Sequence, residues 1–343
     1  MKRALALILC IVIILCTVGC AKSQTTQEPA KTAEEAAGDK TYTIAMISHT
    51  KGNEYFLAAD SGASKAAKEL GVDYIYDGPA DATVDLQIEM INNYMTSGID
   101  ALCVAPLDTE ALAPTLRSVR EAGIPVITFD VDTMEDARDF YADPCDPAVY
   151  AKASIDAMVE DAGTDTGKYV IMIEYLTDVY QYNFQEAAQK YAAEAYPNLE
   201  LIEVKQVTYS QDEAYNIVND YIRAYPDLVG ISSFGTVIWP GIIEAIRDAG
   251  KTGVIGAEGG TTPMAVAPYL DEGAVSRNIL WDVENMGYVA MYAAYQCLDG
   301  TLKADATSLE INGKSYDIDS SKREIFCGDA FTWTAENVHE YNY

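Results

Sequence analysis

The sequence contains little positive charge. Its 343 residues include 23 lysines and arginines against 53 aspartates and glutamates, which gives a formal net charge of −30. A protein this acidic repels phosphate backbones and anionic membrane surfaces, so nucleic acid is excluded as a partner. We interpret the acidity itself as a solubility feature. The apolar fraction of 49% excludes wholesale disorder, and the length suggests two domains.

Cysteine is scarce outside the N-terminus. Three of the seven cysteines lie within the first 20 residues. The other four are Cys103, Cys145, Cys297 and Cys327, which are widely spaced and form no CxxC pair. In a chain of this length we expect no disulfide framework, although a single bridge stays open. We expect Cys103, in a strand-like segment, and Cys297, in an apolar helix, to be buried free thiols.

The motifs of several large enzyme classes are missing. No phosphate-binding lysine motif occurs, and "GVIGAEGG" does not fit the GxGxxG pattern of dinucleotide-binding proteins. Nothing like a nucleophile elbow surrounds Cys327, which disfavours a hydrolase built from Cys327 and His339. In "DVDTMEDARD", Met134 and Glu135 stand where a calcium loop needs a ligand and a glycine. The sequence therefore predicts no enzyme activity, no cofactor and no metal site.

The N-terminus has the pattern of an export signal. "MKRALALILCIVIILCTVGC" has a basic start, an apolar run from Ala4 to Val18, and then Gly19-Cys20. The run is too short for a typical spanning helix, so it predicts a secretory signal peptide at 1–19. It resembles a bacterial lipoprotein signal, which implies lipidation at Cys20 and attachment to the outer face of the cell membrane. The alternative is an uncleaved membrane anchor.

Strand-like and amphipathic segments alternate from Tyr42, with a period of about 28 residues. The alternation restarts after a fifth strand near 137–144, and "LEINGKSYDI" reads as a hairpin near the end. Short strands joined by helices predict right-handed crossovers, hence an α/β protein with two doubly wound parallel-sheet lobes. The expected domains are a signal at 1–19, a flexible tether at 20–41, an N-terminal lobe at 42–143 plus 283–302, and a C-terminal lobe and tail at 144–282 plus 303–343.

Polar and aromatic residues gather directly after the predicted strands. Ligands of such folds bind beyond the carboxyl ends of the strands, and between two facing lobes that edge becomes a cleft. "GIPVITFDVD" ends a buried strand with Asp130 and Asp132, whose carboxylates are either solvated or await a ligand rich in hydrogen-bond donors. Asp130 alone could equally cap a helix, and Phe56 alone is more simply explained by core packing. Their convergence with other polar and aromatic groups favours a sugar-like ligand.

Three segments carry a family resemblance, which runs from about residue 42 to the end. They are "AMISHTKGNEYF", "DALCVAPLDTEALAPTLRSVREAGIPVITFDVD" and "GAVSRNILWDVENMG". These segments resemble the type I periplasmic-type sugar-binding proteins of ABC transporters, and in particular the subgroup with rhamnose- and autoinducer-2-binding members. The resemblance implies a hinge of three chain segments, near 142–145, 280–284 and 300–305, and closure of the lobes on the ligand.

The resemblance also implies roles for individual residues. Asp130 and Glu258 fall where the family binds ligand hydroxyls with acidic side chains. Gln181 and the pair Trp281-Asp282 match ligand-site residues of the autoinducer-2 binders. The residues that we predict to bind the ligand are His49, Asn53, Tyr55, Phe56, Asp130, Asp132, Gln181, Phe234, Thr236, Trp239, Glu258 and Trp281.

Several positions depart from that subgroup. His49 replaces a lysine and Tyr180 an aspartate, while Phe234 and Thr236 replace a proline and an alanine. Gly235 stands where ribose binders carry asparagine. These changes argue against autoinducer-2 itself as the ligand. His49 is as well explained by a structural role as by ligand binding.

The predicted function is capture of a small sugar or sugar-like ligand and its delivery to an ABC permease. The partners are expected to be that ligand and the permease, with the membrane touched only through the lipid anchor, and the protein is expected to be a monomer. The alternative is a binding protein that senses its ligand for a chemoreceptor or a histidine kinase. A sugar-responsive repressor is disfavoured because a signal peptide replaces the helix-turn-helix segment.

Overall fold

The computed structural model describes residues 41–341 and 343. The predicted signal peptide, the predicted lipidation site Cys20 and all of the predicted tether except Thr41 lie outside the described residues. Within 41–341, none of the helices combines the length and the apolar character needed to cross a bilayer.

The first part of the fold alternates strands and helices as the sequence periodicity predicts. Its elements are β1 (Thr43–Ile47), α1 (Glu54–Leu70), β2 (Asp73–Asp77), α2 (Val84–Ser97), β3 (Ala101–Val104), α3 (Ala113–Glu121), β4 (Val126–Phe129) and β5 (Phe140–Asp143). The five strands are parallel in the order β2-β1-β3-β4-β5. Gly71 (φ 68°) and Gly98 (φ 88°) end α1 and α2 in the left-handed conformation, which disfavours a Cβ.

The second part repeats the pattern around a separate sheet. Its elements are α4 (Pro147–Ala162), β6 (Gly167–Ile173), α5 (Val179–Ala195), β7 (Leu199–Gln206), α6 (Gln211–Ala224), β8 (Leu228–Phe234), α7 (Trp239–Asp248), β9 (Gly256–Glu258) and α8 (Pro263–Asp271). The strand order is β7-β6-β8-β9, all parallel. The sequence analysis predicted these strands and helices except α8. The prediction of two parallel-sheet layers with helices is confirmed.

The C-terminal part adds strands to the first sheet and forms a separate two-stranded sheet. It comprises β10 (Asn278–Leu280), α9 (Val283–Leu298), β11 (Ser308–Ile311), β12 (Lys314–Asp319), β13 (Glu324–Phe326) and β14 (Phe331–Trp333). β11 and β12 form the predicted hairpin. β13 pairs in parallel with β5, so β11–β13 extend the first sheet to eight strands among the described residues. β14 pairs with β10, and the 3₁₀ turn at Val338–Glu340 packs on α8.

The structure corrects two expectations, the lobe to which part of 303–343 belongs and the position of the third chain crossing. The sequence analysis assigned all of 303–343 to the C-terminal lobe, but 308–326 belongs to the first sheet. The third chain crossing therefore lies between β13 and β14, at 327–330, and not at 300–305. The physical reason is hydrogen bonding: the outer edge of β5 is covered by β13, which leaves no unpaired edge there. We call the first sheet with α1–α3 and α9 the first lobe, and the second sheet with α4–α8 the second lobe.

The first sheet buries both of its faces. Ile44 and Met46 of β1 belong to a core that includes α1 and α9, whereas Ala45 and Ile47 belong to a core with α2 and α3. Alternate residues of a strand point to opposite faces, so this division follows directly from the backbone. The apolar run "IAMI" is therefore a central strand covered on both sides, which is typical of parallel sheets.

Two glycines let α1 and α9 approach closely. A Cβ at Gly62 would lie 1.8 Å from the backbone oxygen of Glu284, and one at Gly287 would lie 2.0 Å from that of Ala59. Both contacts are with backbone, which cannot rotate away as a side chain can. The close packing of these helices fixes the start of α1, from which Tyr55 and Phe56 project.

We expect Gly62→Ala to lower the free energy of unfolding by about 1–3 kcal/mol, because the added methyl group must separate two packed helices. Gly328→Ala is the matched control, since a Cβ there has nothing within 4 Å. Urea denaturation of both variants measures the difference. Equal stabilities for the two variants would contradict this packing.

Candidate functional site

One cavity lies where the carboxyl ends of the two sheets face each other. The space between its wall atoms, including the part that is open to solvent, is about 400 Å³. The wall combines carboxyl, amide and aromatic groups from both lobes. It is formed by His49, Asn53, Tyr55, Phe56, Asp130, Glu174, Asp178, Gln181, Tyr209, Phe234, Gly235, Thr236, Gly260 and Leu280.

The structure brings eight of the twelve predicted site residues to this wall. They are His49, Asn53, Tyr55, Phe56, Asp130, Gln181, Phe234 and Thr236. The other four, Asp132, Trp239, Glu258 and Trp281, do not line it. A position after a strand places a residue near the cavity, but the direction of its side chain depends on the local turn.

Asp132 forms an ion pair with a buried arginine. Its two carboxylate oxygens accept from Nε and Nη2 of Arg138, both at 2.6 Å, and the Arg138 side chain is fully buried. Arg138 also donates through Nη1 to the backbone oxygen of Lys322 at 2.7 Å. Asp132 therefore joins the end of β4 to the segment between β12 and β13.

Glu258, Trp239 and Trp281 are buried around the cavity. Glu258 is completely buried, and its Oε1 accepts from the backbone N–H of Gly259 (3.0 Å) and of Ile279 (2.8 Å). Burial raises the pKa of Glu258 well above its ordinary value. Trp239 is also completely buried, at the start of α7. Glu258 holds the backbone next to Gly260 and Leu280, and Trp281 stacks on Phe234, so these two side chains support the wall from behind.

Asp130 is held at the wall in a strained backbone conformation. Its φ is 65°, in the left-handed region that non-glycine residues adopt infrequently. Its Oδ1 accepts a hydrogen bond of 2.5 Å from the Tyr55 hydroxyl, which itself accepts from Nε1 of Trp281 at 2.9 Å. The Tyr141 hydroxyl donates to the backbone oxygen of Asp130 at 2.8 Å. Positive φ turns this carboxylate into the cavity, and Tyr55 fixes its position.

His49 and Tyr209 connect the two lobes. Nε2 of His49 lies 3.2 Å from the backbone oxygen of Pro106, and Nδ1 lies 3.3 Å from the Tyr209 hydroxyl. Because a carbonyl can only accept, Nε2 carries the proton, and Nδ1 accepts from Tyr209. Burial lowers the pKa of His49 to about 4, so the imidazole is neutral at pH 7. Tyr209 is a second non-glycine wall residue with positive φ, at 42°.

The second lobe contributes two acids that the sequence analysis did not select. Glu174 follows β6 directly, and its Oε1 accepts from the backbone N–H of Val237 (2.9 Å) and Ile238 (3.3 Å). Asp178 caps α5 through the backbone N–H of Tyr180 at 2.8 Å and also accepts from the amide of Gln181 at 3.0 Å. Both are at least nine-tenths buried.

A glycine makes room for Glu174. A Cβ at Gly235 would lie 2.6 Å from Cγ of Glu174, and the φ of Gly235 is 157°. The replacement of asparagine by glycine that the sequence analysis noted here therefore has a structural reason. A larger residue at this position would displace the Glu174 carboxyl from the wall.

The three wall acids share an environment poor in water. Burial raises the pKa of Asp130 to about 8, and the charge of Asp178 adds to this shift, although the Tyr55 hydrogen bond opposes it. Burial also raises the pKa of Glu174 to about 8, against its two backbone hydrogen bonds, and that of Asp178 to about 6. In the ligand-free protein these groups stabilise the fold at low pH, and that contribution is lost as the pH rises from about 4 to 8.

An aromatic cluster forms one side of the cavity. The ring of Phe234 stacks on Trp281, with centroids 5.6 Å apart and planes at 26°. Tyr180 packs against both of these rings, at 5.3 and 5.0 Å. In the first lobe, Phe56 packs against His49 at 4.8 Å. The cavity therefore offers apolar ring surface next to its carboxyl groups, which suits a ligand with both C–H and polar faces.

Some of the missed residues could have been found. Glu174 is the first residue after β6, but the apolar run "KYVIMIEYL" led the sequence analysis to include it in the strand. Asp178 lies only a few residues further on, between that strand and the helix, and the sequence analysis did not select it. Tyr209 follows the edge strand β7, and no sequence signal indicates that this loop turns toward the first lobe.

A comparison with protein families identifies the fold class. Residues 44–302 match the family model described as "Periplasmic binding protein domain". The chain belongs to this family. The family assignment confirms the resemblance that the sequence analysis proposed.

Individual relatives of this periplasmic binding protein are distant. The D-ribose/D-allose-binding protein of Pseudomonas aeruginosa is 24% identical over 239 residues, which cover 68% of this chain and 74% of that relative. A solute-binding protein from Clostridium phytofermentas, solved with bound L-rhamnose, has a TM-score of 0.80 at 24% identity and covers 88% of this chain and 98% of that chain. LsrB from Clostridium saccharobutylicum, solved with AI-2, has a TM-score of 0.80 at 22% identity and covers 88% and 100%. The two structures share its fold.

An asparagine should lower the free energy of unfolding much more at position 132 than at position 130. Asp132→Asn leaves the buried Arg138 without its carboxylate, and we expect a loss of about 3–5 kcal/mol in the free energy of unfolding. Asp130→Asn keeps an acceptor for Tyr55, and asparagine tolerates positive φ, so we expect stability within about 1 kcal/mol of wild type. Chemical denaturation at pH 7 compares the two. A larger loss at residue 130 than at 132 would contradict these roles.

Proposed function

We propose that the protein captures a small hydroxylated solute of the sugar class between its two lobes and presents it to an ABC permease, without converting it. The cavity between the sheet ends supports this most directly, because it combines carboxyl and amide groups with ring surface at the place where folds of this kind bind their ligands. The names of the relatives, which refer to ribose, allose, L-rhamnose and AI-2, support a hydroxylated ligand.

Binding would be coupled to closure of the lobes. The first lobe supplies Asn53 and Asp130 to the wall, and the second lobe supplies Glu174 and Gln181. A ligand that bonds to both sets favours the closed form over any open form, since only the closed form makes all of these contacts. The contact between His49 and Tyr209 closes the same gap. The closed geometry would then signal the loaded state to the permease.

We propose Asp130, Asn53, Gln181 and Thr236 as groups that contact the ligand, together with Glu174 and Asp178. Phe56 and Phe234 would pack on its C–H faces. Asp132, Glu258, Trp239 and Trp281 would act indirectly, by holding the wall.

A thermal-shift screen of pentoses, hexoses, deoxysugars and amino sugars tests the proposal. We expect at least one compound to raise the melting temperature, and calorimetry to show that Asp130→Asn weakens its binding about 10- to 100-fold, because an amide NH₂ replaces the second carboxyl oxygen that faces the ligand. Asp165→Asn, at an exposed loop position, is the control and should bind as wild type. A ligand that binds Asp130→Asn as tightly as wild type would remove Asp130 from the site.

We propose that Cys20 attaches the protein to the membrane through a lipid, on the strength of the sequence "TVGC" after an apolar run. In cell fractionation, Cys20→Ala should move the protein from the membrane fraction to the soluble fraction or the medium. Cys16→Ala, four residues earlier within the apolar run, is the control and should stay with the membrane. Retention of both variants in the membrane would indicate an uncleaved anchor.

A further inference from the structure

We propose that the ligand carries a positive charge, as an ammonium group on a hydroxylated carbon skeleton, so that it is an amino sugar or an amino polyol and not a neutral sugar. This inference rests on the proposed function, because it names the class of solute that the same cavity takes.

The wall of the cavity carries acids without bases. Among the residues that the structure describes, Asp130, Glu174 and Asp178 line it, whereas no lysine or arginine does. The one imidazole in this described wall is that of His49, whose two ring nitrogens are hydrogen-bonded to Pro106 and Tyr209 in the neutral form. The site therefore presents three acidic groups and no protein cation to its occupant.

The basic residues that lie near wall residues in the sequence form ion pairs elsewhere. Arg138 makes a two-point ion pair with Asp132 and donates to the backbone of Lys322. Lys51 lies 3.1 Å from Asp77, and its side chain is 63% exposed. Neither residue contacts a wall acid, so the charge of these acids is left for the occupant to balance.

Glu174 has an oxygen available for a ligand. The residue is 4% exposed, and Oε1 is held by two backbone N–H groups. The hydrogen bonds from Val237 and Ile238 both go to Oε1, and the side chain lines the cavity. Burial carries a penalty for the charged form of this carboxyl group and raises its pKa to about 8. A donor on the ligand removes that penalty, and a charged donor removes more of it than a hydroxyl.

A metal ion does not fit the same acids. Within the described part of the chain, no three or more histidine, cysteine, aspartate or glutamate side chains are arranged to hold one. Asp178 is already committed to the start of α5 and to Gln181, which keeps it from turning toward a common centre. An ammonium group has three donors that point in different directions, so it can serve acids that are spread around a wall.

The aromatic groups of the wall suit a cation as well. Phe234 presents a ring whose other face stacks on Trp281, and Phe56 and Tyr55 lie in the opposite lobe. The face of an aromatic ring attracts an ammonium group, and the attraction grows when water is excluded. The same rings pack on the C–H groups of a carbon skeleton.

The wall acids should release protons when an ammonium ligand binds. Without a ligand, the wall acids keep protons to a higher pH than free carboxyl groups do, because burial disfavours the charged form. A bound ammonium group favours the ionised form, so binding near pH 7 releases protons. A neutral sugar gives no such release, since the charge of the cavity does not change.

Isothermal titration calorimetry on the full-length protein tests this with matched pairs: glucosamine and glucose, galactosamine and galactose, glucamine and sorbitol. We expect at least one amine to bind 10-fold or more tightly than its neutral partner at pH 7. Its binding enthalpy should differ between two buffers of different ionisation enthalpy, which reports proton release. A neutral partner that binds as tightly or more tightly overturns the inference and leaves the proposed function intact.

Glu174→Gln separates charge from shape, because glutamine keeps an acceptor for the two backbone N–H groups. We expect this variant to lose at least 10-fold more affinity for the amine than for the neutral partner. Glu121→Gln, on the exposed surface of α3, is the matched control and should keep both affinities. Equal losses for amine and neutral partner would overturn the inference.

The pH dependence of the melting temperature provides a second test, on the protein without ligand. The titratable groups around Glu174 are Asp130, Asp178, Tyr175, Tyr209 and the neutral His49. Because the fold loses stability as the wall acids ionise, the melting temperature of wild type should fall more steeply between pH 5 and pH 8 than that of Glu174→Gln. Failure of every compound to bind counts against the proposed function and, with it, the inference. Parallel melting profiles overturn the inference alone, because they would show that burial does not hold a proton on the Glu174 carboxyl group.

Discussion

Asp130, Glu174 and Asp178 bring three carboxyl groups from two lobes to one cavity, in whose wall the described part of the chain places no lysine or arginine. Each of them is held by hydrogen bonds, to Tyr55, to the start of α7 and to the start of α5. Those bonds fix the positions of the acids but do not balance their charge. The ligand-free protein keeps protons on them, and a donor-rich, cationic ligand can replace those protons. The affinity and the selectivity of the site both follow from this imbalance.

The fold positions these acids through unusual backbone at the strand ends. Asp130 and Tyr209, one in each lobe, have positive φ, and Gly235 leaves space for Glu174. Such conformations persist only where the surrounding packing holds them, and they concentrate at functional sites. In the first lobe, the close packing of α1 on α9 and the ion pair of Asp132 with Arg138 hold the backbone around β4. In the second, the rings of Trp281 and Tyr180 pack against Phe234.

The fold could be predicted from the sequence because strand and helix periodicities are local. The pairing of β11–β13 with the first sheet could not be predicted, because it depends on which sheet edge is free in the folded protein. For the site, the position after each strand indicated His49 and Asp130 correctly as wall residues. It failed for Asp132, two residues further on, because Arg138 draws that side chain away. Tyr209 depends on the path of a loop between lobes, which no local pattern encodes.

The protonation of the wall acids in the ligand-free protein tests this account most directly. Carbon-13 NMR titration of the labelled side-chain carboxyl groups of Asp130 and Glu174 gives their pKa values one by one, with Asn and Gln variants to assign the signals. The account predicts pKa values raised by burial to about 8 for both groups. Values near those of free aspartate and glutamate would show that water or a protein cation already balances the acids, and would contradict it.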